Sequence, residues 1–156
     1  MCVFFYGWYI MKNDIYYMNL ALKEAKKAIK YGDIPIGCVI VMNNKVISKA
    51  FNKKEFNNNP IKHAEIIAIE KASKKLNTWH LDECTLYTTM EPCLMCAGAI
   101  LQSRISRIVY GLQNNNFGEV TSNNEVFKNN KKIKIDGCIC EEESKSLVQS
   151  FFKNIR

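Results

Sequence analysis

Apolar positions recur at helical spacing between about Tyr16 and Tyr31, where Leu20, Ala21, Ala25, Ala28 and Ile29 stand among lysines, and this predicts an amphipathic helix. The period then changes. Ile36 to Met42 and Val46 to Phe51 flank Asn43-Asn44, the pattern of a β-hairpin with a two-residue turn. A second helix is expected from His63 to Leu76, a strand from Thr85 to Met90, a third helix from Cys93 to Gln102 and a strand from Ile105 to Gly111. Ile133 to Ile139 predicts a last short strand and Glu141 to Lys153 a terminal helix. Each helix must bury its apolar stripe, so helices alternating with strands predict an α/β fold with a sheet covered on both faces. No internal repeat or linker interrupts the order.

The chain has 156 residues, 47% hydrophobic and 24% charged, enough for one domain with a real core. Met1 to Ile10 are apolar and aromatic without a basic residue, which suits neither a secretory signal nor a bilayer span. Residues 1–10 are therefore expected to be an extension, or an added apolar contact in a dimer, outside a single domain of residues 11–156. No membrane partner is expected. The seven cysteines are odd in number and scattered, which argues against a disulfide framework and for a reducing cytoplasm. Cys138 and Cys140 would share one strand face, as core or surface thiols in preference to a second metal site.

Two short segments carry chemistry: His63-Ala64-Glu65 and Glu91-Pro92-Cys93-Leu94-Met95-Cys96. The imidazole of His63 and the thiolates of Cys93 and Cys96 are good zinc donors, and neither segment offers a fourth. A structural site closes with four protein ligands, whereas a catalytic one keeps a position for water. The cysteine spacing puts both sulfurs on one face of a helical turn, and Pro92 suits a helix start. Residues two apart do not share a helix face, so His63 and Glu65 meet one centre only at a helix entrance, for which Asn57-Asn58-Asn59-Pro60 is suitable. Glu65 would then act as a general acid and base without ligating. Taken alone, Cys-x-x-Cys could be two buried thiols or half of a structural zinc site. A redox dithiol needs neither the histidine nor the carboxylate.

The His-x-Glu and Pro-Cys-x-x-Cys pair resembles the zinc-dependent cytidine and adenosine deaminase superfamily. Thr89 to Ile100, Ser103-Arg104-Ile105, Ile34-Pro35-Ile36-Gly37 and Asn52 more narrowly resemble the tRNA-specific adenosine deaminases of bacteria. The likeness runs from about Tyr17 to Gly118, returns at Phe151-Phe152 and is poor between Glu119 and Asp136. It implies a three-layer α/β/α fold with a five-stranded mixed sheet, one zinc ion per chain, usually a homodimer, and deamination of a wobble adenosine in a tRNA anticodon stem-loop.

The resemblance also implies substrate contacts. Asn52 matches an asparagine that hydrogen-bonds the target nucleotide, and Ile34, Ile36 and Met90 match apolar positions around the base. Lys153 and Arg156 lie in a tail that helps hold RNA in the family, and Lys53 and Lys54 stand beside Asn52. A net charge of +7 supplies the field that draws a polyanion. Asn114 departs from the pattern, since the bacterial family usually has an acidic residue there, near the sugar-phosphate. Asparagine does occur at this place in the catalytic subunit of the related eukaryotic heterodimer, which keeps a heterodimeric partner open. Two other functions stay open: a deaminase of free guanine or cytosine, which needs no basic surface, and a non-catalytic zinc or RNA-binding subunit, which needs no Glu65.

Overall fold

Asn43 and Asn44, both at positive φ (50° and 58°), form the two-residue turn between strands β1 (Gly37–Met42) and β2 (Lys45–Phe51). Both central residues lie in the left-handed region that a type I′ turn demands, which asparagine tolerates better than other non-glycine residues. The expected hairpin is therefore present in the computed structural model. The structure describes residues 8–155 apart from 124, 125, 129 and 131, with only the backbone course of 8–11.

The remaining elements are α1 (Trp8–Ile29), α2 (Ala64–Leu76), β3 (Cys84–Met90), α3 (Leu94–Gln102), β4 (Arg107–Leu112), β5 (Lys134–Asp136) and α4 (Glu141–Asn154). The sheet order is β2-β1-β3-β4-β5, with β1 antiparallel to β2 and β3, and β3, β4 and β5 mutually parallel. This is the expected five-stranded mixed sheet.

Alternation along the strands divides the core into two layers. Cys38, Ile40, Leu86 and Ile108 pack with Ala64, Ala68, Ala72, Ala97 and Ile100 of α2 and α3. Val39, Val41, Tyr87 and Val109 point the other way, onto Tyr17, Met18 and Ala21 of α1. Helix α4 covers β3 and β4 beside α1. The small residues let α1 approach closely: a Cβ at Gly37 would collide with the α1 backbone at Ala21 and Ala25.

Helix α1 starts at Trp8, well before the expected Tyr16, and so enters the segment expected to be an extension; the earlier residues Met1 to Gly7 lie outside the described residues. The periodicity breaks at Asp14, which is buried yet charged. Arg107 at the start of β4 explains it. Its guanidinium donates to both carboxylate oxygens of Asp14 (2.9 and 2.8 Å) and through Nε to Asp136 (2.8 Å), while Tyr87 Oη donates to Asp14 (2.8 Å). This ion group, buried at Asp14 and half-buried at Asp136, ties α1, β3, β4 and β5 together at one end of the sheet.

Strand β5 ends at Asp136, shorter than expected, where Gly137 lies against the Tyr110 ring so closely that a Cβ would clash. Cys138 and Cys140 are consequently not on a strand face but in the turn before α4, at positive φ (63° and 56°). Cys140 is a free thiol. Cys138 is disulfide-bonded, which corrects the expectation of unpaired thiols at that position.

Candidate active site

The carboxyl ends of the parallel strands β3 and β4 and the amino ends of α2 and α3 meet at the edge of the sheet opposite the Arg107 ion group. His63 is the N-cap of α2 (φ −74°, ψ 154°) and Cys93 the N-cap of α3 (φ −74°, ψ 173°). Both helices thus begin one residue later than expected, with Pro92 outside the helix and Cys96 its third residue. An N-cap side chain ordinarily bonds an orphan amide of the first turn. Neither His63 nor Cys93 makes such a bond, which leaves their donor atoms pointing at each other.

The donor geometry suits a tetrahedral ion. His63 Nδ1 lies 3.7 Å from Cys93 Sγ and 3.6 Å from Cys96 Sγ, and all three donor atoms are within 4.8 Å of one another. Zinc bonds of about 2.3 Å to sulfur and 2.0 Å to nitrogen at a tetrahedral angle set donors about 3.6 Å apart. Among the described residues, the group has three donors and no fourth.

The electrostatics follow from crowding. The hydrogen bond from Cys96, with help from His63, holds the Cys93 thiol down to about 4. That same donation, together with burial, pushes Cys96 well up, and the bond to Cys93 raises His63. A bound metal ion removes the conflict, because coordinating thiols are deprotonated outright.

Glu65, on the first turn of α2, is 3% exposed and accepts a hydrogen bond from Thr88 Oγ1 (3.1 Å), while its Oε2 lies 3.5 Å from Cys96 Sγ. It is not one of the three donors. Burial raises its carboxyl above the usual range, which favours a group that must both take and give a proton.

The other candidate residues divide by position. Asn52 is buried at the end of β2; its Oδ1 accepts from Ala64 N (2.9 Å) and its backbone amide donates to Ile36 O (3.0 Å). It therefore fixes the start of α2 beside His63. Ile36 is half-buried against the core, Ile34 is exposed, and Met90 ends β3 with its sulfur 3.8 Å from Asn114 Nδ2. Lys53 lies with its ammonium over the rings of Phe51 and Phe56 (5.0 and 5.9 Å). Lys54 is exposed, and its charge acts on His63. Lys153 is exposed in the last turn of α4, an element that packs on β3, β4 and α1 and not on α2 or α3, so the structure does not bring it to the donors. Arg156 lies outside the described residues.

Sequence reasoning missed two carboxylates. Asp33 accepts from the amides of Glu55 (2.9 Å) and Phe56 (3.1 Å), organising the loop between Asn52 and His63. Glu91, quoted above only as part of a motif, is 2% exposed and gathers the loop after β4. Burial pulls its carboxyl upward, but bonds from Ser122, Thr121 and Asn114 outweigh that and hold it below the usual range. The one available signal was a carboxylate set directly after a buried strand.

Residues 11–112 match the family described as the cytidine and deoxycytidylate deaminase zinc-binding region. The chain is 38% identical to a tRNA-specific adenosine deaminase of Bacillus subtilis, covering 94% of this chain and 92% of that one. It is 42% identical to another tRNA-specific adenosine deaminase, from Buchnera aphidicola, over 92% and 91%. A solved structure from work on A-to-I editing by tRNA:A34 deaminases superposes with a TM-score of 0.80 at 36% identity, covering 85% of this chain and 98% of that one. A guanine deaminase from Nitrosomonas europaea superposes at 0.77 with 18% identity, a likeness of fold alone.

Proposed function

The chain belongs to the cytidine and deoxycytidylate deaminase family, and from that premise we propose that it hydrolyses adenosine to inosine at the wobble position of a tRNA anticodon loop. One observation carries the choice of substrate: identity of 38 to 42% with tRNA-specific adenosine deaminases over more than nine-tenths of both chains. The three donors and Glu65 would serve any amino-bearing base, so they support the reaction type and leave the substrate to that likeness. The net charge of +7 suits an RNA.

His63, Cys93 and Cys96 would hold the zinc ion, which when bound would supply the Lewis acidity that makes water available as hydroxide near neutral pH. Glu65 accepts a proton from the attacking water and delivers it to the neighbouring ring nitrogen. The carboxylate then takes the remaining proton from the newly added hydroxyl and passes it to the exocyclic nitrogen, so that the carbon–nitrogen bond breaks, ammonia leaves and the ring carbonyl forms. Thr88 keeps the carboxylate oriented during both transfers. Asn52 holds α2, and with it His63 and Glu65, in register, while its amide nitrogen remains available to the nucleotide. Ile34, Ile36, Met90 and Asn114 line the approach. The target must leave its stack to reach the donors, which favours a loop over a duplex. Action as a homodimer in the cytoplasm belongs to the same proposal.

The test is to incubate the purified protein with an anticodon stem-loop carrying a wobble adenosine, the same sequence paired into a duplex, and free guanine and cytosine. Nucleoside mass spectrometry reads inosine, and a coupled assay reads ammonia. Inosine in the stem-loop and little in the duplex is the expected result. Ammonia from free guanine or cytosine, with no inosine in any tRNA, would overturn the substrate assignment.

A further inference from the structure

The loop from Gln113 to Asn123 leaves the carboxyl end of β4 and contains no helix or strand, yet one side chain gathers both of its ends. Glu91 Oε2 accepts from Asn114 N (2.9 Å) and Ser122 Oγ (2.6 Å). Its Oε1 accepts from the amides of Val120 (3.1 Å), Thr121 (2.7 Å) and Ser122 (2.8 Å), with Thr121 Oγ1 at 3.3 Å. The loop is also paired to the metal-ligand turn: Glu119 N donates to Pro92 O (2.9 Å), and Gly118 forms an antiparallel bridge with Cys93. Glycine is required there, since a Cβ would collide with the Glu91 carboxylate and with Asn114 O.

The loop presents two side chains beside the metal-ligand turn. Asn114 Nδ2 reaches the sulfur of Met90 at the site, its Oδ1 accepts from Phe117 N (3.2 Å), and the Phe117 ring is 72% exposed. We propose that Glu91 is a positioning residue that fixes Asn114 and Phe117 at the mouth of the site, so that the substrate meets an ordered loop. Charge-assisted bonds to a carboxylate are about twice as strong as neutral ones, and here they order the segment before binding. Without them the ordering entropy is charged to each binding event. Glu65 finds its partners, Thr88 and Cys96, outside the loop, so Glu91 governs KM in preference to the chemical step.

The inference rests on the RNA reading for its kinetic arm only. Glu91→Gln keeps the volume, removes the charge and turns one acceptor into a donor facing amide donors. Zinc content, hydrogen exchange of the 114–122 amides and stem-loop kinetics are measured together. Expected are wild-type zinc, loop exchange faster by about tenfold, KM raised by about tenfold and kcat within about threefold of wild type. Ser122→Ala deletes, at a half-buried position, the hydroxyl's bond to Glu91 and the longer one it accepts from Gln113 (3.3 Å), and should move exchange and KM the same way by about threefold. It also decides the question if Glu91→Gln does not fold. Unchanged loop exchange, or faster exchange with unchanged KM, would overturn the proposal, as would loss of zinc and kcat at constant KM. If the wild type forms no inosine in any stem-loop, the substrate reading fails, and loop exchange alone still decides whether Glu91 orders the loop.

Discussion

Replacing Glu65 by glutamine separates what this side chain does for catalysis from what it costs the fold. The carboxylate is 3% exposed, and glutamine preserves its shape and the acceptor that Thr88 Oγ1 meets at 3.1 Å. What disappears is proton transfer. A positioned general acid and base contributes about 100- to 10,000-fold, or about 3 to 5 kcal/mol of barrier, and this group is asked to act twice in one turnover. Single-turnover inosine formation should therefore fall by at least about 100-fold while zinc content is retained. Stability should move the opposite way. Burial raises the folded carboxyl above its unfolded value, so Glu65 favours the fold when protonated and opposes it when ionised. The glutamine variant should accordingly melt no lower than wild type at neutral pH, with the advantage fading as pH falls from the raised folded value towards the unfolded carboxylate range and gone below it. Turnover above about one-tenth of wild type would refute the shuttle role. A lower melting temperature with full zinc would refute the account of burial.

Arg107→Met leaves the buried Asp14 carboxylate without its cation and Asp136 with only the longer contact to Lys134 (3.7 Å). With Asp136 one-third exposed, the cost is placed at about 3 kcal/mol, lowering the melting temperature by roughly 6 to 12 °C, with zinc content and kcat at 20 °C unchanged. Stem-loop affinity should fall steeply with salt. Neutralising Lys53, Lys54, Lys153 and Arg156 together should flatten that dependence by about 0.7 in slope for each residue that touches phosphate. A slope the same as wild type would remove all four from the interface.

The sheet and its covering helices were legible because strand and helix periods differ and because Asn43-Asn44 permits only a narrow set of turns. The site was legible where chemistry is local. His63 and Glu65 stand two residues apart and Cys93 and Cys96 three, which placed both pairs at helix entrances, and two N-caps without capping bonds are how the fold achieves it. Long-range polar pairing was not legible. Asp14 looks like a flaw in the first helix until Arg107, 93 residues away, is folded beneath it. Glu91 is likewise silent until a loop more than twenty residues later turns its amides inward. Strand β5 was drawn too long because its apolar alternation continues past Gly137, where contact with the Tyr110 ring ends the pairing.

His63, Cys93 and Cys96 would hold a zinc ion with one position left open and Glu65 beside it. X-ray absorption at the zinc edge of the purified protein reads that coordination directly. One zinc per chain is expected, with two sulfur donors at about 2.3 Å and two nitrogen or oxygen donors at about 2.0 Å. The same spectrum is expected in Glu65→Gln, and loss of the metal in Cys93→Ala. Three or more sulfurs around the ion, a spectrum altered by Glu65→Gln through loss of a ligand, or full zinc in Cys93→Ala would contradict this coordination.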